Sequence, residues 1–190
     1  MYQIRWAIIP GFLIGCLALT LFAGLFNKPE IVLAAEEEQS TQPAQAVNSQ
    51  SENCGISTKY PDSVRQWCGW IEREASQHGL DPQLIAAVIL QESGGSADAY
   101  SKSGAVGLMQ VMPRDGIAAG FQCINGPCFA SRPSMDELFE PEFNISYGTR
   151  MLSGLIGKYG NERDALKAYG PKDVGYYYAD IVLNIYHSYR

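Results

Sequence analysis

Seven consecutive apolar residues, Leu84-Ile85-Ala86-Ala87-Val88-Ile89-Leu90, stand between Asp81-Pro82 and Gly94-Gly95, and no other stretch constrains the fold as much. Asp81 can accept hydrogen bonds from the free amides of a first helical turn, and Pro82 gives up no donor that the turn needs. The glycine pair supplies the backbone freedom that ends a helix. A helix apolar on nearly every side is stable only when its own domain encloses it, so this one should run through the centre. Glu92 then falls in its last turn, where the free carbonyls carry partial negative charge. Enclosure and that dipole both penalise the carboxylate and raise its pKa. An acid still protonated near neutral pH can protonate a leaving-group oxygen. Taken alone, however, a helix-terminal glutamate reads at least as well as a solvated cap or a surface ion pair.

Helical spacing dominates the rest. Ser63 to His78, stopped by Gly79, carries Val64, Trp67, Ile71 and Ala75 on one face. Glu142 to Tyr159 repeats the pattern with Ile145, Gly148, Leu152, Leu155, Ile156 and Tyr159, and Tyr178 to Tyr189 with Ile181, Val182, Ile185 and Tyr186. No alternating strand pattern competes and no internal repeat is visible. The expected fold is a compact, mostly α domain with a loop-rich region from Gly94 to Pro141 that forms one wall of a cleft. Trp67 and Trp70 read as core, and His187 as a surface histidine.

Three segments follow from composition. Arg5 precedes an apolar stretch from Trp6 to Phe26, long enough to cross a bilayer, and Val32-Leu33-Ala34-Ala35 offers a cleavage site before Glu36. Residues 1–35 therefore read as a signal peptide, with a retained signal anchor as the alternative. Cys16 sits inside the apolar stretch, which argues against lipid attachment there. Residues 36–53, rich in Glu, Gln, Ser, Thr and Ala, cannot repay the entropy of ordering and read as a flexible tether. Residues 54–190 form the domain. The chain is expected in an exported location: periplasm, cell envelope or outside the cell, anchored to the membrane if the N-terminal segment is kept.

The remaining cysteines, Cys54, Cys68, Cys123 and Cys128, are even in number and suit an oxidising compartment. Three pairings are open. The favoured one ties Cys54 to Cys68 and closes the Ile124-Asn125-Gly126-Pro127 turn with Cys123 and Cys128. His78 and His187 lie far apart, so no metal is assigned, and no cofactor. A net charge of −6 with 14 basic residues argues against a nucleic-acid partner, and it gives no electrostatic steering toward acidic polymers.

Downstream of Glu92, Gly104, Ala105 and Gly107 suggest close backbone packing, and Leu108, Met109, Val111 and Met112 a short buried segment before Pro113. Gln110 is the odd residue in it. Its amide has donor and acceptor ends that would suit sugar hydroxyl and acetamido groups, or it could brace nearby backbone. Glu92-Ser93, Ser101 and the Gly104 to Pro113 stretch resemble the first motifs of the soluble lytic transglycosylases, relatives of goose-type lysozyme. Asn144-Ile145 with Gly148 and Leu152, Ala165 to Tyr169, and Tyr178 with Ile181-Val182 extend the resemblance over roughly residues 62 to 189. One departure stands out: Ala168-Tyr169 runs straight into Gly170-Pro171, where that family usually carries Asn.

The resemblance implies a lysozyme-like fold with a glycan cleft, peptidoglycan strands as substrate, and Glu92 as the single catalytic acid and base. That Glu would cleave the β-1,4 bond between N-acetylmuramic acid and N-acetylglucosamine and leave 1,6-anhydro ends. Ser93 would orient it. Ser101, Met109, Gln110 and Tyr169 would contact glycan or position the acid. Glycosidases usually employ two carboxylates, and no second acid lies in these motifs; Asp98 is the nearest candidate, without an implied role. Of Tyr169, Tyr176, Tyr177 and Tyr178, one or two are expected to reach substrate. The alternatives are a hydrolytic goose-type lysozyme, or a non-catalytic glycan-binding component of an envelope-spanning machine. Secretion or conjugation machinery is a partner compatible with either.

Overall fold

The computed structural model describes residues 54–190. The apolar stretch from Trp6 to Phe26, the cleavage site near Ala35 and the 36–53 segment lie outside the described residues. Among the described residues the chain is mostly helical, as expected, with seven α-helices and one two-residue ladder.

Helix α3 (Pro82–Ser93) is the axis of the domain. Asp81 caps it by accepting the Gln83 amide at 2.9 Å, and Gly94 ends it in the left-handed region at φ 63°. From Leu84 to Ile89 every side chain is at most 1 % exposed, so the helix is packed on all sides. Each large aliphatic side chain enclosed this way is worth roughly 1.5–3 kcal/mol. Helix α7 (Tyr177–Tyr189) lies antiparallel along α3. Near its start the Tyr178 hydroxyl donates to Glu92 at the end of α3, and near its end the Tyr186 hydroxyl donates to Asp81 at the start of α3. Its buried row, Tyr178, Val182 and Tyr186, follows four-residue spacing. Helix α5 (Pro141–Tyr159) packs on α2 (Cys68–His78), α4 (Met135–Phe139) and α6 (Glu162–Tyr169), and α6 in turn packs on α7.

The single helix expected from Ser63 to His78 is two: α1 (Asp62–Arg65) and α2, broken at Gln66-Trp67. The break is fixed from outside. Ser63 Oγ donates to Gly94 O at 2.7 Å and the Trp67 indole donates to Gly95 O at 2.9 Å. Gly95 sits so close to the Ser63 carbonyl that any Cβ there would collide with it. Cys68, the first residue of α2, is bonded to Cys54. Apolar residues on both sides of the break still face α3, which is why periodicity alone does not reveal it. The segment leading into α1 has no regular secondary structure of its own. Instead, Gln83 Nε2 donates to Gly55 O at 2.8 Å, its Oε1 accepts the Ser57 amide at 3.2 Å, and the Tyr60 hydroxyl donates to Gln83 O at 2.9 Å.

The region from Gly94 to Pro141 is less irregular than its composition suggests. It holds a 3-10 turn (Gly116–Gly120), an antiparallel ladder of β1 (Gln122–Cys123) with β2 (Gly126–Pro127), and α4. Strands of two residues have no alternation to read. The Cys123–Cys128 disulfide closes the ladder, and α4 opens with a reciprocal Ser134 and Glu137 capping box.

Candidate active site

The site is built on a four-residue turn. Val106 and Val111 exchange backbone hydrogen bonds at 3.0 and 3.1 Å, leaving Gly107-Leu108-Met109-Gln110 to reverse the chain. Gly107 has φ 76°, and Gln110, at φ 47°, is the one non-glycine with positive φ among the described residues. For such a residue that conformation costs roughly 1–2 kcal/mol. Its own side chain offsets the strain: Gln110 Nε2 donates to Gly107 O at 2.9 Å and to Ala99 O at 3.1 Å. The donor end of the amide thus braces the backbone.

Three helices pin this turn. From α5, fully buried Asn144 accepts the Met109 amide at 2.8 Å and donates to Val106 O at 2.9 Å and Leu138 O at 2.8 Å. The approach is close, since a Cβ on Gly107 would strike Asn144 and one on Gly148 would strike the Met109 side chain. From α3, Ser93 Oγ lies 2.9 Å from Leu108 O and 3.2 Å from Ile89 O, and accepts the Gly95 amide. From α6, the Tyr169 hydroxyl donates to Met109 O at 2.8 Å. Ser101 Oγ accepts the Ala105 amide at 2.8 Å and closes the neighbouring 101–105 turn.

Glu92 is half-buried beside this assembly, and its Oε1 accepts the Tyr178 hydroxyl at 2.5 Å. Burial raises its carboxyl to about 7, while the Tyr178 hydrogen bond acts in the opposite direction by favouring the charged form. The Tyr178 phenol is itself pushed far above its ordinary value, by burial first and then by the facing Glu92 charge, so it stays a donor. Burial does the same to Tyr169, helped by Glu92 and opposed by the charge of Arg132.

The structure therefore gathers Glu92, Ser93, Met109, Gln110 and Tyr169 around one turn, with Ser101 at the adjoining one. It differs from the sequence reading in which tyrosine touches the acid. Tyr169 holds the Met109 carbonyl, and Tyr178 bonds Glu92. The sequence places Tyr178 among four tyrosines of which one or two are expected to reach substrate, without linking it to Glu92; the signal available was its place in the buried row of α7. Of its neighbours, Tyr176 donates to Asp164 at 2.6 Å between the cations of Arg163 and Lys167, and Tyr177 is largely exposed. Asp98 is exposed. Gly170, which stands where Asn is usual in the resembled family, lies against Tyr178 so closely that any Cβ would collide with its ring.

Comparisons with known proteins fall on this same region. A family model described as the transglycosylase SLT domain matches residues 69–175. Over 90 residues, 47% of this chain and 43% of the relative, the chain is 44% identical to an endo-type membrane-bound lytic murein transglycosylase A from Klebsiella pneumoniae. Over 98 residues, 52% of this chain and 43% of the relative, it is 35% identical to a membrane-bound lytic murein transglycosylase E from Buchnera aphidicola. The matched part spans less than half the length of these relatives. Among solved structures, an inactive Glu-to-Gln mutant of lytic transglycosylase Slt from Pseudomonas aeruginosa superposes with a TM-score of 0.51 at 26% identity, covering 69% of this chain and 24% of that one.

Proposed function

This chain belongs to the transglycosylase SLT domain family, and from that premise we propose that it cleaves peptidoglycan as a lytic transglycosylase with Glu92 as its acid and base. The observation that carries the reading is the Glu92 carboxyl itself, held near pKa 7 by burial beside a turn pinned from three helices. A group poised there is protonated in a large fraction of molecules at neutral pH and can donate its proton to the glycosidic oxygen between N-acetylmuramic acid and N-acetylglucosamine. The C2 acetamido group would stabilise the positive sugar centre. Glu92, now a carboxylate, would take the proton of the C6 hydroxyl as that oxygen bonds C1, closing a 1,6-anhydro ring without consuming water. No second carboxylate bonds Glu92 among the described residues, in keeping with an intramolecular nucleophile.

In this reading the loop-rich region from Gly94 to Pro141 forms one wall of the glycan cleft. Ser93 and Tyr169 fix the carbonyls of Leu108 and Met109, so they position the wall more than they touch sugar. Gln110 offers its carbonyl end, and Ser101 shapes the next turn. If the N-terminal apolar stretch is retained as an anchor, it and residues 36–53 would hold the domain at a membrane facing the wall. A tethered domain of this size suits local opening of peptidoglycan where a secretion or conjugation apparatus crosses it.

The test is mass spectrometry of the fragments released from purified peptidoglycan by the full chain and by its Glu92→Gln variant. Anhydro-ended products lost in the variant are the expected result. Reducing-end products would make the site a lysozyme, and strand binding without release by the wild type would make it a binding module.

A further inference from the structure

Beside the pinned turn, α5 presents a face that the mechanism above does not use. Tyr147 is flanked by two guanidiniums, Arg132 at 5.9 Å and Arg150 at 4.9 Å from its ring centre, and Phe143 stacks on the same ring from a centroid distance of 6.1 Å. Arg132 also lies 5.9 Å from the Phe129 ring, with Nη1 against Met151 Sδ. Stacking of this kind holds a guanidinium in place by roughly 0.5–1 kcal/mol and leaves its remaining N–H groups, those of Arg132 not turned to Met151 included, available to a ligand. Among the described residues neither arginine has a carboxylate within 4.0 Å; the carboxylates of Glu137 and Glu142 are paired with Arg114 and Arg73.

The face is next to the site. Tyr147 lies one helical turn from Asn144, which holds the Met109 amide, Met151 beneath Arg132 lies one turn from Gly148, which abuts the Met109 side chain, and the Arg132 charge reaches Tyr169. We infer that Arg132, Tyr147 and Arg150 form a carboxylate-binding subsite for the acidic group that a peptidoglycan strand carries on O3 of each muramic residue. The inference rests on the glycan-cleaving reading. Two sources share this chemistry, the free carboxylates of a stem peptide and the bare lactyl carboxylate of a stripped strand. Planar guanidinium forks match either.

Steady-state cleavage by the full chain and its Arg132→Gln/Arg150→Gln variant would be measured on three substrates: strands with stem peptides, strands stripped by an amidase, and stem-bearing strands whose carboxylates have been converted to amides. The expected result is a KM raised roughly three- to tenfold in the variant on carboxylate-bearing strands, as for one or two partly solvated ion pairs, with kcat unchanged. No difference is expected on the amidated strands. A penalty confined to stem-bearing strands identifies the stem as the source; one confined to stripped strands identifies the lactyl carboxylate, which stem attachment ties up as an amide; and one on both shows that the guanidiniums take either. Arg132→Lys/Arg150→Lys should recover part of the loss. An equal penalty on amidated strands, or a fall in kcat alone, would overturn the subsite. If the wild type releases nothing, the cleavage reading fails separately and the subsite is judged by strand retention. Salt-sensitive retention of acid-bearing strands lost in the Gln variant then supports it, and unchanged retention overturns it.

Discussion

Tyr178 sets the protonation of Glu92 from across the α3 and α7 contact. Its hydroxyl bonds the carboxylate more strongly than the acid, so removing it lets burial act unopposed. In Tyr178→Phe the alkaline limb of the rate profile should therefore move to higher pH. A shift of roughly half a unit to one unit corresponds to a hydrogen bond of about 1 kcal/mol. A limb that stays in place, or moves down, would detach Tyr178 from the acid. Stability should follow the same group with a definite sign. Because the folded-state pKa of about 7 lies above the free value of 4.5, the folded chain holds the proton over a range where the unfolded chain has lost it. The contribution of Glu92 to stability is then fully present below about pH 4.5 and is lost as pH rises through 7. Glu92→Gln should abolish that slope and give a higher urea midpoint than the wild type at pH 8. Glu92 was legible in the sequence because its surroundings are local: a cap, an apolar run and a glycine pair. Tyr178 was not, because only antiparallel packing of α7 on α3 brings it 86 positions back along the chain.

The helices divide by how their signals arise. Those of α3, α5 and α7 could be read from spacing because a full-length apolar face is a repeated local signal. The interruption between α1 and α2 depends on Gly94 and Gly95, and the β1 and β2 ladder on a pairing of four residues, so neither leaves a periodic trace. Asn144 lies between these cases. It sits on the buried side of α5, where a polar residue is conspicuous, yet its three partners belong to the turn and to the end of α4. Asn144→Ala should cost roughly 2–4 kcal/mol, since it strips three hydrogen bonds and leaves buried backbone groups unpaired. Urea denaturation would give the loss, and hydrogen exchange should show the Met109 amide opening before the α3 core does. Exchange that weakens everywhere by the same factor would mean that Asn144 supports the whole domain and not this turn.

At the scale of the molecule, two covalent links act on different ranges. Cys54–Cys68 closes a loop of about 15 residues and should contribute roughly 3 kcal/mol, whereas Cys123–Cys128 spans a separation of only 5 in an exposed hairpin. Replacing the first pair by serines should lower the global unfolding midpoint clearly, and replacing the second should mainly loosen the hairpin; calorimetry on the two double variants would distinguish them, and the reverse order would refute this ranking. The first link has a mechanical side as well. Tension applied through the chain before Cys54 meets, at that residue, a covalent junction with the first residue of α2. The load enters the helix layer there and bypasses residues 55–67, so the domain can be held taut at a fixed point without its leading segment being peeled from α3.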